Sequence, residues 1–258
     1  MTDQTDLPPN IVVRESGSRI INPLDDGKLA TLGRALRLPP GSTVLDLACG
    51  KGEMLCTWAR DLGFTGTGVD LSSAFVADAR ARAAELGVAD RVRFTHGDAA
   101  GHVAERPVDL AACIGATWIG GGDSWRSRFD GTLALLERSL RPGGVLLVGE
   151  VFWRRTPPDE QTVAACHAAA PDDFAELPAL LDRIDELGFD PVEAVLADPD
   201  SWDRYTAPQW LATRRWLDAH PGDALADELR ADLRASPRRH LLYQREYLGW
   251  GVLALMRR

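Results

Sequence analysis

The segment that most constrains the fold is Val44-Leu45-Asp46-Leu47-Ala48-Cys49-Gly50-Lys51-Gly52-Glu53. An apolar run ends beside an acid, and a turn of small residues then opens a helix. A second apolar run, Thr65-Gly66-Thr67-Gly68-Val69-Asp70, also ends in an acid. Small residues let a ligand approach the backbone closely, and a helix N-terminus adds free N–H groups. Two acid-tipped strands flanking such a turn read as a nucleoside pocket.

The segments around this pair alternate. Strands are predicted at Thr43–Ala48, Thr65–Asp70, Arg91–His96, Val108–Ile114, Val145–Val151, Val192–Leu196 and Trp250–Met256. Helical spacing falls at Lys28–Leu36, at Glu53–Leu62 with Gly63 as its stop, and after Ser72, whose hydroxyl can cap a helix reaching Gly87. Further helical stripes run through Phe129, Leu133 and Leu136, and through Leu180, Ile184 and Leu187. Pro142-Gly143-Gly144 reads as a turn, and residues 1–22 read as a flexible lead-in. Uniformly apolar strands alternating with helices imply a parallel sheet buried on both faces. The expected class is therefore α/β: a doubly wound, mostly parallel, seven-stranded Rossmann-like sheet. Segments 153–177 and 201–245 break the alternation, and the second is a helical insertion before the last strand. The domain reading is an N-terminal lid segment, 1–24, and one domain over 25–258, with 201–245 joining the lid.

Ligands of such sheets bind at the carboxyl ends of the strands. A dinucleotide would want G-x-G-x-x-G. Gly50-Lys51-Gly52-Glu53-Met54-Leu55 lacks the third glycine, and Glu53 stands where a pyrophosphate would go. A cationic ligand without phosphate suits the acidic surround better.

Here the chain resembles the class I S-adenosylmethionine-dependent methyltransferases. The resemblance rests on Val44 to Gly52, Gly68-Val69-Asp70-Leu71-Ser72, Gly97-Asp98-Ala99 and Leu140-Arg141-Pro142-Gly143-Gly144, in order and spacing. The whole chain also resembles an uncharacterised bacterial small-molecule methyltransferase group, a resemblance that names no substrate. Shared segments include Ser18-Arg19-Ile20, Gly115-Ala116-Thr117-Trp118 and Trp202-Asp203-Arg204-Tyr205. The resemblance implies S-adenosylmethionine as cofactor and S-adenosylhomocysteine as product. It has Asp46 orienting the glycine loop and sitting near the ammonium end, with Ala48, Gly50 and Gly52 forming the loop. Asp70 would take the ribose hydroxyls, and Leu71 would pack on the adenine. Asp98 and Ala99 would meet the adenine edge, while Cys113 and Gly115 would offer backbone to the methionine part. Ala48 stands where many members have glycine. That change costs little provided the backbone there avoids positive φ.

Acceptor-side expectations come from the residues themselves. Glu150 and Tyr205 are the catalytic candidates, and Trp118, Trp153, Trp202, Tyr205 and Trp210 the aromatic wall of a substrate site. His167 reads as a surface residue. The formal charge of −9 argues against nucleic acid as partner. Cys49, Cys56, Cys113 and Cys166 are too scattered for a metal site. Met1–Asp6 has no export-signal character, and no apolar run is long enough to span a bilayer, so a cytoplasmic protein without membrane contact is expected. The acceptor expected is a small molecule. The competing readings are a non-enzymatic S-adenosylmethionine sensor, aminopropyl transfer, and nicotinamide-dependent reduction.

Overall fold

The apolar residues of the first strand alternate between two cores, which fixes the layering. In the computed structural model, which describes residues 6–258, β1 (Thr43–Leu47) sends Val44 into one core and Leu45 and Leu47 into the other. Residues 1–5, and with them most of the segment read as lacking an export signal, lie outside the described residues. Asp46 shares the face of Val44.

The sheet contains β2 (Thr65–Asp70), β3 (Val92–His96), β4 (Val108–Ile114), β5 (Leu140–Trp153), β6 (Phe189–Leu196) and β7 (Leu248–Arg257) in the order β3-β2-β1-β4-β5-β7-β6. β1 pairs parallel with β2 and β4, and the order reverses there. β7 runs antiparallel between β5 and β6. The expected doubly wound, mostly parallel seven-stranded sheet is the observed one.

Helices α1 (Pro9–Glu15), α2 (Asp26–Ala35), α3 (Glu53–Leu62) and α4 (Ser73–Glu85) lie in the first half of the chain. The second half holds α5 (Trp125–Glu137), α6 (Glu160–Ala165), α7 (Leu177–Glu186), α8 (Pro199–Ala219) and α9 (Ala226–Arg239). α3 is buried almost all round: Met54, Leu55, Cys56, Trp58 and Ala59 all enter the first core. Each large side chain there adds about 1.5–3 kcal/mol of burial. Gly63 ends the helix at φ 74°, as its position predicts. The Ser72 hydroxyl accepts from the Phe75 N–H at 3.3 Å and so starts α4.

Three expectations change. The lead-in contains α1, which packs on α8. Pro142-Gly143-Gly144 does not end an element: β5 runs through it and absorbs the irregularity as a register shift between Val108 and Leu110 of its neighbour. β6 begins earlier than read, at Phe189, with its Pro191 at another register shift. No helix among the described residues is long and apolar enough to cross a membrane.

Candidate functional site

The site begins where β1 ends. Ala48, Gly50 and Gly52 all have positive φ, at 57°, 53° and 69°. The condition under which an alanine at 48 costs little is therefore not met. The chain holds an L-residue in the left-handed region there, at a cost of order 1–2 kcal/mol. At position 52 glycine is obligatory, because a Cβ would stand 2.5 Å from the Phe94 ring and 2.9 Å from Ala79.

Asp70, at the tip of β2, clamps this loop. Its Oδ2 accepts the Gly50 N–H at 2.7 Å, and its Oδ1 accepts the Ser72 N–H at 2.8 Å. The sequence reading gives the loop-orienting task to Asp46, whereas the hydrogen bond belongs to Asp70. Asp46 is buried beside it. Burial, with the Asp70 charge adding to it, pushes the Asp46 carboxyl up to about 8. Burial raises the Asp70 carboxyl too, against the pull of its two N–H donors. Two carboxyl groups held away from their charged forms make a surface that gains from a positive ligand.

Glu53 departs from its sequence reading. Arg82 grips both its oxygens at 2.7 and 2.8 Å, so its charge is already answered. Its presence at the helix start is no argument against phosphate.

Asp46, Ala48, Gly50, Asp70 and Gly115 all line one cavity of about 400 Å³. The rest of the wall comes from α1, the turn at Arg19–Asn22 and Tyr205 of α8. Glu15, the last residue of α1, is 3% exposed. Its Oε1 accepts from the Tyr205 hydroxyl and from Gln209 Nε2, each at 3.1 Å. Burial pushes its carboxyl up to about 7, with the Tyr205 hydrogen bond pulling the other way. Burial also raises the Tyr205 phenol, which stays protonated as a donor rather than serving as a base. Sequence reasoning missed Glu15, Lys51 and Phe75 in this lining. Lys51 stands within the glycine-loop segment, and Arg19 and Ile20 of the shared segment Ser18-Arg19-Ile20 also line the cavity.

A second cavity, about 370 Å³, adjoins the first through Gly115 and Trp118. Glu150 lines it, accepting from the Thr117 hydroxyl and from the Val151 N–H at 2.9 Å. Its carboxyl is raised by burial.

The remaining sequence-predicted residues are placed as follows. Gly52, Leu71, Asp98, Ala99 and Cys113 do not line the first cavity. Asp98 is exposed beyond β3 and accepts from the Ala100 N–H at 2.8 Å. Cys113 lies wholly in the second core. Of the aromatic wall, Trp118 and Tyr205 reach a cavity, and three members do not. Trp153 packs on Phe174 and donates to the Pro171 carbonyl at 2.6 Å. Trp202 packs edge-on to Tyr205, and Trp210 donates to Ser236 Oγ at 3.2 Å. Their size is used for packing: Trp153 holds the segment after α6 against β5, and Trp202 and Trp210 pack within and beside α8. His167 is exposed.

Comparison with known proteins yields consistent matches. Residues 44–144 match the family described as "Methyltransferase domain". A structure of a SAM-dependent methyltransferase from Geobacter sulfurreducens in complex with S-adenosyl-L-homocysteine is 56% identical, with TM-score 0.94 over 98% of this chain and 99% of that one. One from Thiobacillus denitrificans, in complex with the same compound, is also 56% identical with TM-score 0.94, over 98% and 100%. The uncharacterized protein YjhP of Escherichia coli strain K12 is 53% identical over 98% of this chain and 100% of its own length.

Proposed function

The chain belongs to the S-adenosylmethionine-dependent methyltransferases, and from that premise we propose that the strand-tip cavity holds S-adenosylmethionine and serves an adjoining site for a small-molecule acceptor. The observation that carries this is the joint lining of one cavity by Asp46, Gly50, Asp70 and Gly115. When bound, S-adenosylmethionine supplies a methyl group already activated by a cationic sulfur. The donor set fits it: raised carboxyl groups welcome positive charge, and Asp70 retains lone pairs for the ribose hydroxyls beyond its two N–H partners.

The remaining roles are those the family resemblance implies, and for Leu71, Asp98, Ala99 and the Cys113 side chain they lie outside the lining of the first cavity. Leu71 packs against adenine, while Asp98 and Ala99 meet its edge. Cys113 and Gly115 present backbone to the methionine part, and Asp46 faces the ammonium end. Residues 6–24 together with α8 and α9 form the lid. The protein's task is to exclude water and hold the acceptor in line with the methyl group, and such positioning can supply about 7–11 kcal/mol of the barrier. The second cavity seats the acceptor, with Trp118 at the junction and Glu150 oriented by Thr117.

Calorimetric titration of the purified protein with S-adenosylmethionine and S-adenosylhomocysteine tests the donor site, and absence of binding by both defeats it. Donor consumption against panels of small molecules, RNA and protein tests the acceptor, and turnover with macromolecules alone overturns that part.

A further inference from the structure

We propose that Glu15 is the group by which this site distinguishes the charged methyl donor from its uncharged product. This rests on the donor-cavity reading above.

Glu15 Oε2 is fully buried, belongs to a cavity-lining residue and has no hydrogen-bond partner. Its other oxygen is held by Tyr205 and Gln209 of α8. The cations nearest to it form no ion pair with it, and Arg14 Nε is itself buried without a hydrogen-bond partner. Lys51 Nζ donates to the Glu15 main-chain oxygen at 2.9 Å and pairs with Asp78 at 3.2 Å. Arg14 reaches Asp232 at 3.7 Å. The groups acting on Glu15 are thus Arg14 on its own helix, Tyr205 and Gln209 on α8 and Lys51 after β1, with the carboxyl groups of Asp46 and Asp70 in the same cavity lining. None satisfies Oε2, and a buried carboxylate oxygen left bare is costly.

A cationic centre in the cavity supplies countercharge to this carboxylate in place of the absent hydrogen-bond donor. The donor carries positive charge at sulfur. Methyl transfer leaves a neutral thioether and passes that charge to the acceptor. Asp70 anchors the nucleoside end, which is common to donor and product. Glu15, in the α1 part of the lining, feels the atom that differs. With the charge gone, the carboxylate is again without a partner, and product affinity falls to what the shared contacts provide.

The experiment measures the dissociation constants of S-adenosylmethionine and S-adenosylhomocysteine by calorimetry for the native protein, E15Q and Y205F, between pH 6 and 8.5. E15Q should weaken the donor at least tenfold and the product less than twofold. Retained product binding also shows that the variant is folded. With the Glu15 carboxyl near 7, native donor affinity should rise about tenfold between pH 6 and 8 from this group alone. Asp46 titrates in both proteins, so the part of the rise lost in E15Q isolates Glu15. In Y205F, which lacks a hydrogen bond that favours the carboxylate, the midpoint should move up. Sinefungin, which carries an ammonium where the donor has its sulfonium, should follow the donor. Equal losses for donor and product, or no loss for either, overturn the assignment to Glu15 while leaving the donor cavity standing. If the native protein binds neither compound, the donor cavity itself falls.

Discussion

The cavity has two walls of different construction. One is the row of strand tips, where Asp46, Ala48, Gly50 and Asp70 lie within one short stretch of chain and in paired register, Leu47 opposite Val69. The other joins Glu15 to Tyr205, residues 190 apart in sequence. The first wall is built by local turn chemistry on a rigid sheet. The second exists only once α1 and α8 have met. The first therefore suits an invariant part of a ligand, and the second suits what changes during a reaction.

Substitutions can break or sharpen that contrast. The largest expected effect is on the base of the rigid wall. Arg82→Ala leaves the Glu53 carboxylate, 6% exposed, buried without its partner. Stability should fall by about 3–5 kcal/mol in chemical denaturation. A loss below about 1 kcal/mol would mean that the wall is not rigid in the sense claimed. Next, Asp70→Ala removes both the loop clamp and the ribose acceptor. Donor and product affinity should fall together by about 1.5–3 kcal/mol in calorimetry, unlike the unequal losses expected at Glu15. Unequal losses at Asp70 would erase the distinction between the walls.

Smaller effects are expected further out. Asp198 caps α8, accepting from the Ser201 N–H at 2.8 Å, and receives Lys28 Nζ at 2.6 Å. These contacts, Lys28 foremost, hold its carboxyl well below the usual carboxylate range. Asp198→Ala should cost about 1 kcal/mol in thermal unfolding at neutral pH. Because the folded state depresses this group, the native contact contributes fully above the ordinary carboxylate range of about 4 and is lost as pH falls below it. The gap between native and variant should accordingly narrow in acid. Smallest is a gain: Ala48→Gly relieves a left-handed alanine and should stabilise by up to about 1 kcal/mol. A loss there would show that the methyl group packs usefully against the loop.

Legibility in the sequence divides along the same line. α3, β2 and β4 have the boundaries that the apolar runs and their glycine stops predict, because local chain chemistry decides them. Asp46, Gly50 and Asp70 are found for the same reason. β5 outruns its predicted start because pairing with β4, Val108 opposite Leu140 and Leu110 opposite Val145, carries it through a proline and two glycines. α1 is a short helix whose order comes from α8, so nothing within Pro9–Glu15 announces it. Glu15 looks like an ordinary surface acid until Tyr205 and Gln209 are placed on it. Trp153, Trp202 and Trp210 show the reverse error. Their bulk suggests a ligand wall, yet the same bulk equally serves internal packing, and only tertiary contacts separate the two uses.

β7 is inserted between β5 and β6 rather than added at an edge. β6 is synthesised before β7 but has no other strand to bond to, so it must wait, with α8 and α9 emerging in the meantime. The helices that complete the pocket's other wall are thus strung between a strand that cannot yet dock and the one that will lock it in place. Loosening β7 by mutation would unmoor that whole flank at once, leaving the four strands β1 to β4 with their own ladder intact.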